Sequence, residues 1–200
     1  MREQPLYFFP LCPKGGIMAI SLETRSLILR TADVAFADRM LAYYEKNKAF
    51  LEAFEPTRDP DFYTLAYQKA LLAQDIEAEA KKTSYRFFIF LRDDPQTIIG
   101  TITLSNVIRG SFLSCFLGYK LDQDHVNKGY MTQAIRAVAA YAFDILGLHR
   151  IEANVMPDNL PSRRVLEKCE FQPEGIAKKY LKINGVWEDH LHMVLLDEFD

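Results

Sequence analysis

Apolar residues recur along the chain with two spacings, one typical of strands and the other typical of helices. Alternating or continuous apolar runs predict strands, whereas apolar positions three and four residues apart predict helices. The predicted strands are residues 21–30, 85–91, 97–107, 111–121 and 149–155, followed by a final hairpin. The predicted helices are residues 33–46, 50–54, 61–82, 127–146 and 159–169. The pattern therefore predicts an α/β (α+β) protein with a mixed, mostly antiparallel central sheet of about seven strands flanked by helices.

Turn-forming residues separate the predicted strands and set their direction. The segments 93–95, Asp-Asp-Pro, and 109–110, Arg-Gly, lie between three successive strands, which are therefore predicted to run antiparallel. The Asn184-Gly185 pair between two apolar runs is the strongest hairpin signal in the sequence. No repeat, low-complexity block or linker interrupts the series, so residues 18–200 are predicted to form one domain.

Composition excludes several functional classes. The 200 residues are 49% hydrophobic and 26% charged, with a formal net charge of −3. Such a small charge gives no general attraction for nucleic acid, so direct nucleic-acid binding is not expected. No apolar run approaches the roughly 18 residues of a membrane-spanning helix, so no membrane association is expected.

Residues 1–17 are predicted to be an N-terminal extension outside the domain. Their apolar stretch, residues 6–11, is short, is interrupted by Pro10 and lacks a small-residue cleavage pattern, so it is a poor signal peptide. The extension is either a docked arm or the product of an upstream start, because Met18 precedes the first domain residues. The protein is expected to be cytoplasmic.

Cysteine and histidine offer little recognisable chemistry. Cys12 stands far from Cys115 and Cys169, and the last two occur in an apolar strand pattern and at a helix end, which favours reduced core thiols. A catalytic thiol is the alternative, although no base is evident in the sequence. The histidines have no metal-ligand spacing with a cysteine or carboxylate, so no metal is expected. The histidines considered are His149, His190 and His192, three of the four in the sequence.

A short loop between a strand and a helix, Val126–Met131, has the chemistry of a phosphate site. It contains Lys128-Gly129 and leads into an amphipathic helix. The first-turn N–H groups of a helix have no internal partner, and the helix dipole adds partial positive charge there. Gly129 lets the backbone approach an anion without a side chain in the way. A plain strand-to-helix turn is the alternative.

The next segments give this loop a family context. A predicted strand, residues 149–155, is followed by Asn159 and Ser162 at the start of another helix. Loop, strand and Asn-x-x-Ser together resemble the acyl-CoA-binding core of the GNAT N-acetyltransferase superfamily, which implies the GNAT acyl-CoA N-acyltransferase fold. In that family a loop of the form Gln/Arg-x-x-Gly-x-Gly/Ala cradles the pyrophosphate. Only Gly129 of the glycine pair is present here, and Met131 departs at a position inside the first helical turn.

Three further segments narrow the resemblance: residues 47–59, 104–112 and 175–190. They are similar to regions of the ribosomal-protein-alanine N-acetyltransferases, in particular the branch that acetylates the N-terminal alanine of small-subunit ribosomal protein five. The resemblance implies transfer of acetyl from acetyl-CoA to the α-amine of a ribosomal protein, by direct attack in a ternary complex. The expected partners are acetyl-CoA and that N-terminus, and the protein is expected to be a monomer or a homodimer.

The resemblance implies roles for the CoA-binding residues. The backbone amides of residues 127–131 would hold the pyrophosphate, and the strand 112–121 would pair with pantetheine where it splays from 149–155. A backbone N–H between residues 119 and 121 would stabilise the developing oxyanion. Asn159 would contact pantetheine, cap its helix, or do both. The predicted CoA-binding residues are Tyr119, Lys120, Leu121, Val126, Asn127, Lys128, Gly129, Tyr130, Met131, Asn154, Asn159 and Ser162.

The proton carriers are less sharply defined. Glu152 and Asn154 share strand parity and should face one side of the sheet. Glu152 is a candidate base acting through water, or simply an exposed strand glutamate, and Asn154 stands where some members carry a glutamate. Leu166 stands where many members carry the tyrosine that protonates the leaving thiolate. Ser162 is therefore the preferred partner of the CoA sulfur, although it could also be a first-turn serine that only satisfies the backbone. Tyr180 is the other candidate hydroxyl.

The acceptor side offers one carboxylate and several aromatic rings. Glu55 is the candidate partner of the incoming ammonium, or else a helix-end glutamate without a role. Tyr43, Tyr44 and Phe54 would wall the groove, although each could be a core residue. Asp189 in the final hairpin is a further candidate for the groove lining.

Two rival functions stay open at this point. A protein of the same fold could acetylate a small amine such as a polyamine, for which Glu52, Glu55 and Asp59 could supply converging acids. A non-catalytic acyl-CoA sensor or ribosome-assembly factor is the other rival, because the family's catalytic tyrosine and glutamate are absent.

Overall fold

Nine strands of the described residues form a single sheet in the computed structural model, which describes residues 9–11 and 19–197. All neighbouring strands run antiparallel except β6 and β7, which are parallel. The strands are β1 (Phe9–Leu11), β2 (Ala19–Glu23), β3 (Leu27–Thr31), β4 (Tyr85–Leu91), β5 (Ile98–Ile108), β6 (Ser114–Leu121), β7 (Arg150–Val155), β8 (Gln172–Ile183) and β9 (Val186–Leu196). Their order across the sheet is β1-β2-β3-β4-β5-β6-β7-β9-β8. The predicted mixed, mostly antiparallel sheet is thus confirmed.

Four α-helices flank this sheet among the described residues. They are α1 (Ala37–Glu52), α2 (Leu65–Ala80), α3 (Tyr130–Ala140) and α4 (Leu160–Lys168). Short 3₁₀ turns occupy Val34–Phe36, Pro60–Tyr63 and Gln123–His125, and a π-helical turn, Tyr141–Ile145, extends α3. No described helix is both long and apolar enough to cross a membrane.

The sheet is buried on both faces. In β4, Phe87 and Ile89 pack with α3 and α4, whereas the alternating residues Phe88 and Phe90 pack with α1 and α2. All four side chains are completely buried, which explains why this strand is apolar without interruption. The two faces of the sheet therefore carry separate hydrophobic cores.

Several predicted boundaries are wrong for local reasons. The predicted strand 21–30 is two strands, because the Thr24 hydroxyl accepts the Leu27 N–H at 3.0 Å and closes a turn between β2 and β3. The separate helical piece at 50–54 is the end of α1, and the helix predicted from residue 127 begins at Tyr130. The sheet has nine described strands rather than about seven, since the first predicted strand divides and residues 9–11 pair with β2.

Only part of the predicted extension is described. Residues 9–11 add a strand to the sheet edge beside β2. Residues 1–8 and 12–18, which include Cys12, lie outside the described residues, as do residues 198–200.

The parallel strands β6 and β7 pair only at their beginnings. Residues 114–116 match residues 150–152, and the two strands then diverge. Beyond this point, Leu117–Leu121 of β6 pair with β5 alone, and Ala153–Val155 of β7 pair with β9 alone. The divergence leaves two facing strand edges with backbone groups that no neighbouring strand satisfies.

A buried polar cluster ties α1 to the segment that follows β6. The Asp122 carboxylate accepts hydrogen bonds from Asn47 Nδ2 at 3.0 Å and from the Asp124 N–H at 2.9 Å. It also contacts Lys46 Nζ at 2.8 Å and His125 Nδ1 at 2.9 Å. Burial opposes ionisation of Asp122, but these donors outweigh it and hold the pKa of the carboxyl well below its usual range.

Replacing Asp122 with asparagine is expected to lower the unfolding free energy by about 2 kcal/mol at pH 7, because buried donors lose a charged acceptor. The folded-state pKa is depressed, so the stabilisation is present above the ordinary carboxyl pKa of about 4 and is lost as the pH falls below it. Urea unfolding followed by circular dichroism between pH 3 and 8 measures both effects.

Asp124→Asn is the matched control for this prediction. Asp124 contacts the same Lys46 at 2.8 Å, but its side chain is 66% exposed. Its replacement is expected to cost less than about 0.5 kcal/mol. Equal stability of Asp122→Asn and the wild type would contradict a stabilising role for the cluster.

Candidate active site

The divergence of β6 and β7 opens a cleft of about 180 Å³. Its walls come from the unpaired strand edges, from Met156 after β7, from α4 and its N-cap, and from Phe54 and His190. The polar side chains that line it belong to Tyr119, Asn154, Asn159, Ser162 and His190. A wider concavity of about 480 Å³ lies near Ile108 and Phe116, but it offers no comparable pair of unpaired strand edges.

The predicted phosphate loop leads directly into α3. Asn127 has φ 60° and Gly129 has φ 78°, so two left-handed residues turn the chain into the helix. Gly129 is the N-cap, and no side chain caps the first turn. Uncapped N–H groups with the positive end of the helix dipole form a favourable anion site.

Burial of the Met131 side chain explains why a methionine can stand where the family's loop has its second glycine. Met131 is 6% exposed and packs into the core between α3 and the sheet. Lys128 and Gly129 are exposed on the outer side of the same turn. The methionine side chain therefore points away from the surface that an anion would occupy.

Ser162 and Tyr119 form a hydroxyl pair across the cleft. Tyr119 Oη lies 2.7 Å from Ser162 Oγ and 3.2 Å from the Ser162 carbonyl oxygen. Burial raises the pKa of Tyr119, which stays protonated at neutral pH. Asn159 is the N-cap of α4, and its Oδ1 accepts the Ser162 N–H at 3.2 Å. The N-cap interpretation of Asn159 is thus observed, and it fixes the beginning of the helix that carries Ser162.

Glu152 and Asn154 face the same side of the sheet, but their surroundings differ. Arg150 Nε donates to Glu152 Oε1 at 2.8 Å, and its other nitrogens bind Glu174. Glu152 also belongs to the last paired position of β6 and β7, outside the residues that line the cleft. Asn154 lines the cleft, and its Oδ1 is buried without a hydrogen-bond partner.

Tyr180 and two histidines surround the Asn154 amide. Asn154 Nδ2 donates to Tyr180 Oη at 3.1 Å. The Tyr180 ring packs edge-on against His192 at 5.0 Å and is tilted against His190 at 5.6 Å. The predicted hydroxyl of Tyr180 therefore contacts the site through Asn154, whereas His190 reaches the cleft itself.

The predicted acceptor carboxylate already has partners. Glu55 forms ion pairs with Lys120 and, at 3.0 Å, with Arg58. Burial opposes ionisation, but Lys120 outweighs it and lowers the pKa of Glu55. The Lys120 side chain thus lies on the α1–α2 face of the sheet, above the Tyr44 ring. It is Leu117 and Tyr119 that pack against the α3–α4 face.

The other predicted acceptor residues are distributed between core, cleft and hairpin. Tyr43 and Tyr44 are buried in the α1–α2 core, where their rings pack edge to face. Phe54 lines the cleft and is 45% exposed. Asp189 accepts the Lys179 N–H at 2.9 Å and contacts Lys178 at 2.7 Å, so it stabilises the bulge in β8.

Sequence reasoning missed two features of this region. The Asp122 cluster joins residues 75 positions apart, and no local pattern connects them. The position of His190 depends on the register of β9, which places Asn154 opposite His192 and leaves His190 beyond the end of β7. The position of His190 could have been suggested by comparing which residues of the final hairpin and of β7 face the same side of the sheet.

Thiol and metal chemistry find no support among the described residues. Burial raises the pKa of Cys115 to about 12 and that of Cys169 to about 11, so both thiols stay protonated at neutral pH. No group of three or more histidine, cysteine, aspartate or glutamate side chains in residues 19–197 is arranged to hold a metal ion.

Comparison with known proteins shows which family this chain belongs to. Residues 26–172 match the model of the acetyltransferase (GNAT) domain. A probable N-acetyltransferase of Bacillus subtilis, YjcK, is 44% identical over 90% of this chain and 98% of its own length. The ribosomal protein uS5-alanine N-acetyltransferase of Escherichia coli is 36% identical over 89% of this chain and 91% of its own.

Solved structures agree with these relatives. The ribosomal-protein-S5-alanine acetyltransferase of Vibrio fischeri has a TM-score of 0.85 and 33% identity, covering 90% of this chain and 97% of that one. Mycobacterium smegmatis RimJ in complex with CoA-disulfide has a TM-score of 0.80 and 30% identity, covering 86% of this chain and 82% of that one.

Proposed function

This chain belongs to the GNAT acetyltransferase family, and on that premise we propose that it acetylates the N-terminal α-amine of an alanine-ended ribosomal protein. The donor is acetyl-CoA, the substrate of that family. The observation that carries the proposal is the cleft between the divergent ends of β6 and β7, together with the uncapped start of α3, which follows β6 in the chain. An acyl-CoA needs an anion site at one end and polar groups along its extended arm, which the start of α3 and the cleft lining would supply.

The donor would lie along backbone groups rather than charged side chains. The N–H groups of residues 127–131 would hold the pyrophosphate at the positive end of the α3 dipole. The amide-bearing arm would then pair with the unpaired edge of β6 as an added strand does. Asn159 and the unsatisfied Oδ1 of Asn154 line that path.

Acetyl transfer would occur by direct attack of the amine in a ternary complex. A backbone N–H of residues 119–121 would stabilise the developing oxyanion, a contribution of about 3 kcal/mol where one donor has been removed from comparable sites. Ser162 Oγ, which contacts Tyr119 Oη, would supply a proton to the departing sulfur, and Asn159 holds the backbone N–H of the same residue. The N–H and hydroxyl groups are fixed before substrate arrives, so little reorganisation is needed.

The proposed acceptor follows from the relatives and from the charge of the site. Two similar proteins are named as acting on the alanine of one ribosomal protein. Glu55, one of the three acids that could bind a polyamine, is paired with Lys120 and Arg58, so its carboxylate is not free for such a substrate. Phe54 at the cleft mouth suits the short apolar side chain of a first residue. The ribosomal substrate would be met in the cytoplasm.

Acetyl-CoA presented with a panel of N-terminal peptides tests this proposal. Alanine-ended peptides of the ribosomal protein sequence are expected to release CoA thiol at least about 10-fold faster, in kcat/KM, than methionine-ended peptides or spermidine. Thiol release and mass spectrometry of the peptide measure rate and site together.

A peptide whose α-amine is already acetylated is the matched control, and it is expected to release no thiol above background. Modification of a lysine side chain instead of the α-amine would contradict the proposal. Faster acetylation of spermidine than of any peptide would assign the cleft to a small amine instead.

A further inference from the structure

The acceptor amine must lose a proton, and the cleft contains few groups that could take it. An α-amine with an ordinary pKa near 8 is mostly an ammonium at neutral pH, and only its neutral form attacks a thioester. Among the described residues that line the cleft, none carries a carboxylate. One imidazole, that of His190, is present in this lining. Imidazole is the side chain that changes charge closest to neutral pH.

The hydrogen bonding of His190 fixes which ring nitrogen is available. Its Nδ1 lies 3.1 Å from the Glu188 carbonyl oxygen. A carbonyl oxygen only accepts, so Nδ1 carries the proton of the neutral ring and Nε2 retains its lone pair. The residue is 4% exposed, and the Tyr180 ring 5.6 Å away restricts its orientation. A fixed imidazole with an unprotonated nitrogen is the arrangement that a general base requires.

The groups described around His190 are neutral, already paired or outside the cleft lining. Asn154 on β7 and Ser162 on α4 are neutral, and Tyr180 on β8 donates or accepts only through its hydroxyl. On β9, Glu188 supplies the carbonyl contact, and His192 lies on the same face. The charged residues Glu55 and Lys120, which lie on the same face of the sheet, pair with each other. Glu152 pairs with Arg150 and lies outside the cleft lining.

We propose that His190 Nε2 is the general base that removes the proton from the acceptor ammonium, a proposal that rests on the N-acetyltransferase function above. The neutral amine then forms the C–N bond at the thioester carbon, and the C–S bond breaks. The amine gives up its second proton as the amide forms. Ser162 gives one proton to the CoA sulfur, and this second proton replaces it. His190 releases the first proton to solvent, so the sum is one amide, one CoA thiol and one proton.

The experiment compares His190→Gln with the wild type over pH 6 to 10, with acetyl-CoA and an alanine-ended peptide. The expected kcat/KM of the variant is about 100-fold lower at pH 7, the usual contribution of a positioned base. The deficit is expected to shrink above about pH 9, where solvent has already deprotonated the amine. A loss caused by misfolding would not recover with pH.

A second readout does not depend on turnover. Nitrogen NMR of the imidazole rings in the free protein is expected to show His190 protonated on Nδ1 and unprotonated on Nε2. Melting temperature and the CoA dissociation constant check folding, and His190→Asn serves in place of glutamine if the first variant is unfolded.

Two further variants are matched to His190→Gln. His192→Gln changes a histidine on the same strand face outside the cleft lining, and it is expected to retain kcat/KM within about 3-fold. Glu152→Gln tests the rival base that would act through water. A 100-fold loss in Glu152→Gln with normal rates in His190→Gln would overturn the proposal.

The outcomes separate this proposal from the proposed function. If the wild type acetylates a different amine, the acceptor assignment fails, and the comparison of His190→Gln is made with that amine. Equal rates and equal pH profiles of His190→Gln and the wild type overturn the base assignment alone. A wild type that binds CoA but acetylates no peptide or amine overturns both.

Discussion

Replacement of Gly129 with aspartate is expected to weaken CoA binding by about 100-fold, because the carboxylate would stand at the anion site and repel the pyrophosphate. Gly129 has φ 78° and is the N-cap of α3. A side chain there is strained in the left-handed region, but a β-carbon at this position would have no neighbouring atom within 4 Å, so the fold is expected to survive. Isothermal titration with CoA measures the change.

Two control variants separate charge from backbone strain. Gly129→Ala adds the strain without the charge, and it is expected to weaken CoA binding by less than about 10-fold. Gly147 has φ 61° and equally free space around it, but it follows the far end of the α3 extension. Gly147→Asp is therefore expected to keep the wild-type affinity. Equal CoA affinity of Gly129→Asp and the wild type would remove the loop 126–131 from the pyrophosphate site.

Ser162→Ala is expected to lower kcat by about 100-fold while the CoA dissociation constant changes by less than about 3-fold. The Ser162 hydroxyl is placed by Tyr119 at 2.7 Å, and the Ser162 N–H by Asn159 at 3.2 Å. If this hydroxyl protonates the leaving sulfur, its loss raises the barrier of the transfer step without removing a ground-state contact. Steady-state kinetics with peptide and a separate CoA titration distinguish the two effects.

Conservative variants of the hydroxyl pair sharpen this prediction. Ser162→Thr keeps a hydroxyl at the same position and is expected to retain at least about a tenth of the wild-type kcat. Tyr119→Phe removes one partner of Ser162 and is expected to cost less than Ser162→Ala. A wild-type rate in Ser162→Ala would exclude the hydroxyl from the chemistry and leave Tyr180 as the other candidate donor.

Local patterns predicted several elements of the fold well. The strand 85–91 agrees with β4 at both ends, and the hairpin at Asn184-Gly185 joins β8 to β9. These features depend on side-chain alternation and turn chemistry within a few residues, which the sequence displays directly. Gly129 likewise indicated the turn. The sequence did not show that Gly129 is left-handed, and because of this conformation the helix begins at Tyr130 rather than at the predicted residue 127.

Contacts between distant segments were much harder to predict. Glu55 has the charge expected of a residue that binds an ammonium group. Its ion pair with Lys120, however, joins segments 65 positions apart, so no local pattern could predict it. The contacts of Asp189 were equally hard to predict, because they depend on a bulge in the facing strand, β8. Charge and spacing identify such residues as polar, but only the partner decides whether the charge is free to meet a substrate.

The sequence by itself determined the mostly antiparallel sheet and the loop that begins α3, since these follow from periodicity and turn residues, and the resemblance of its motifs indicated the family. The tertiary structure decided where β6 and β7 diverge, which carboxylates are already paired and which imidazole reaches the cleft. The physical reason is that strand register and ion pairing arise between segments far apart in the chain. The proposed donor site could therefore be predicted from the loop 126–131, whereas the proposed proton acceptor, His190, could be identified only from the packed sheet.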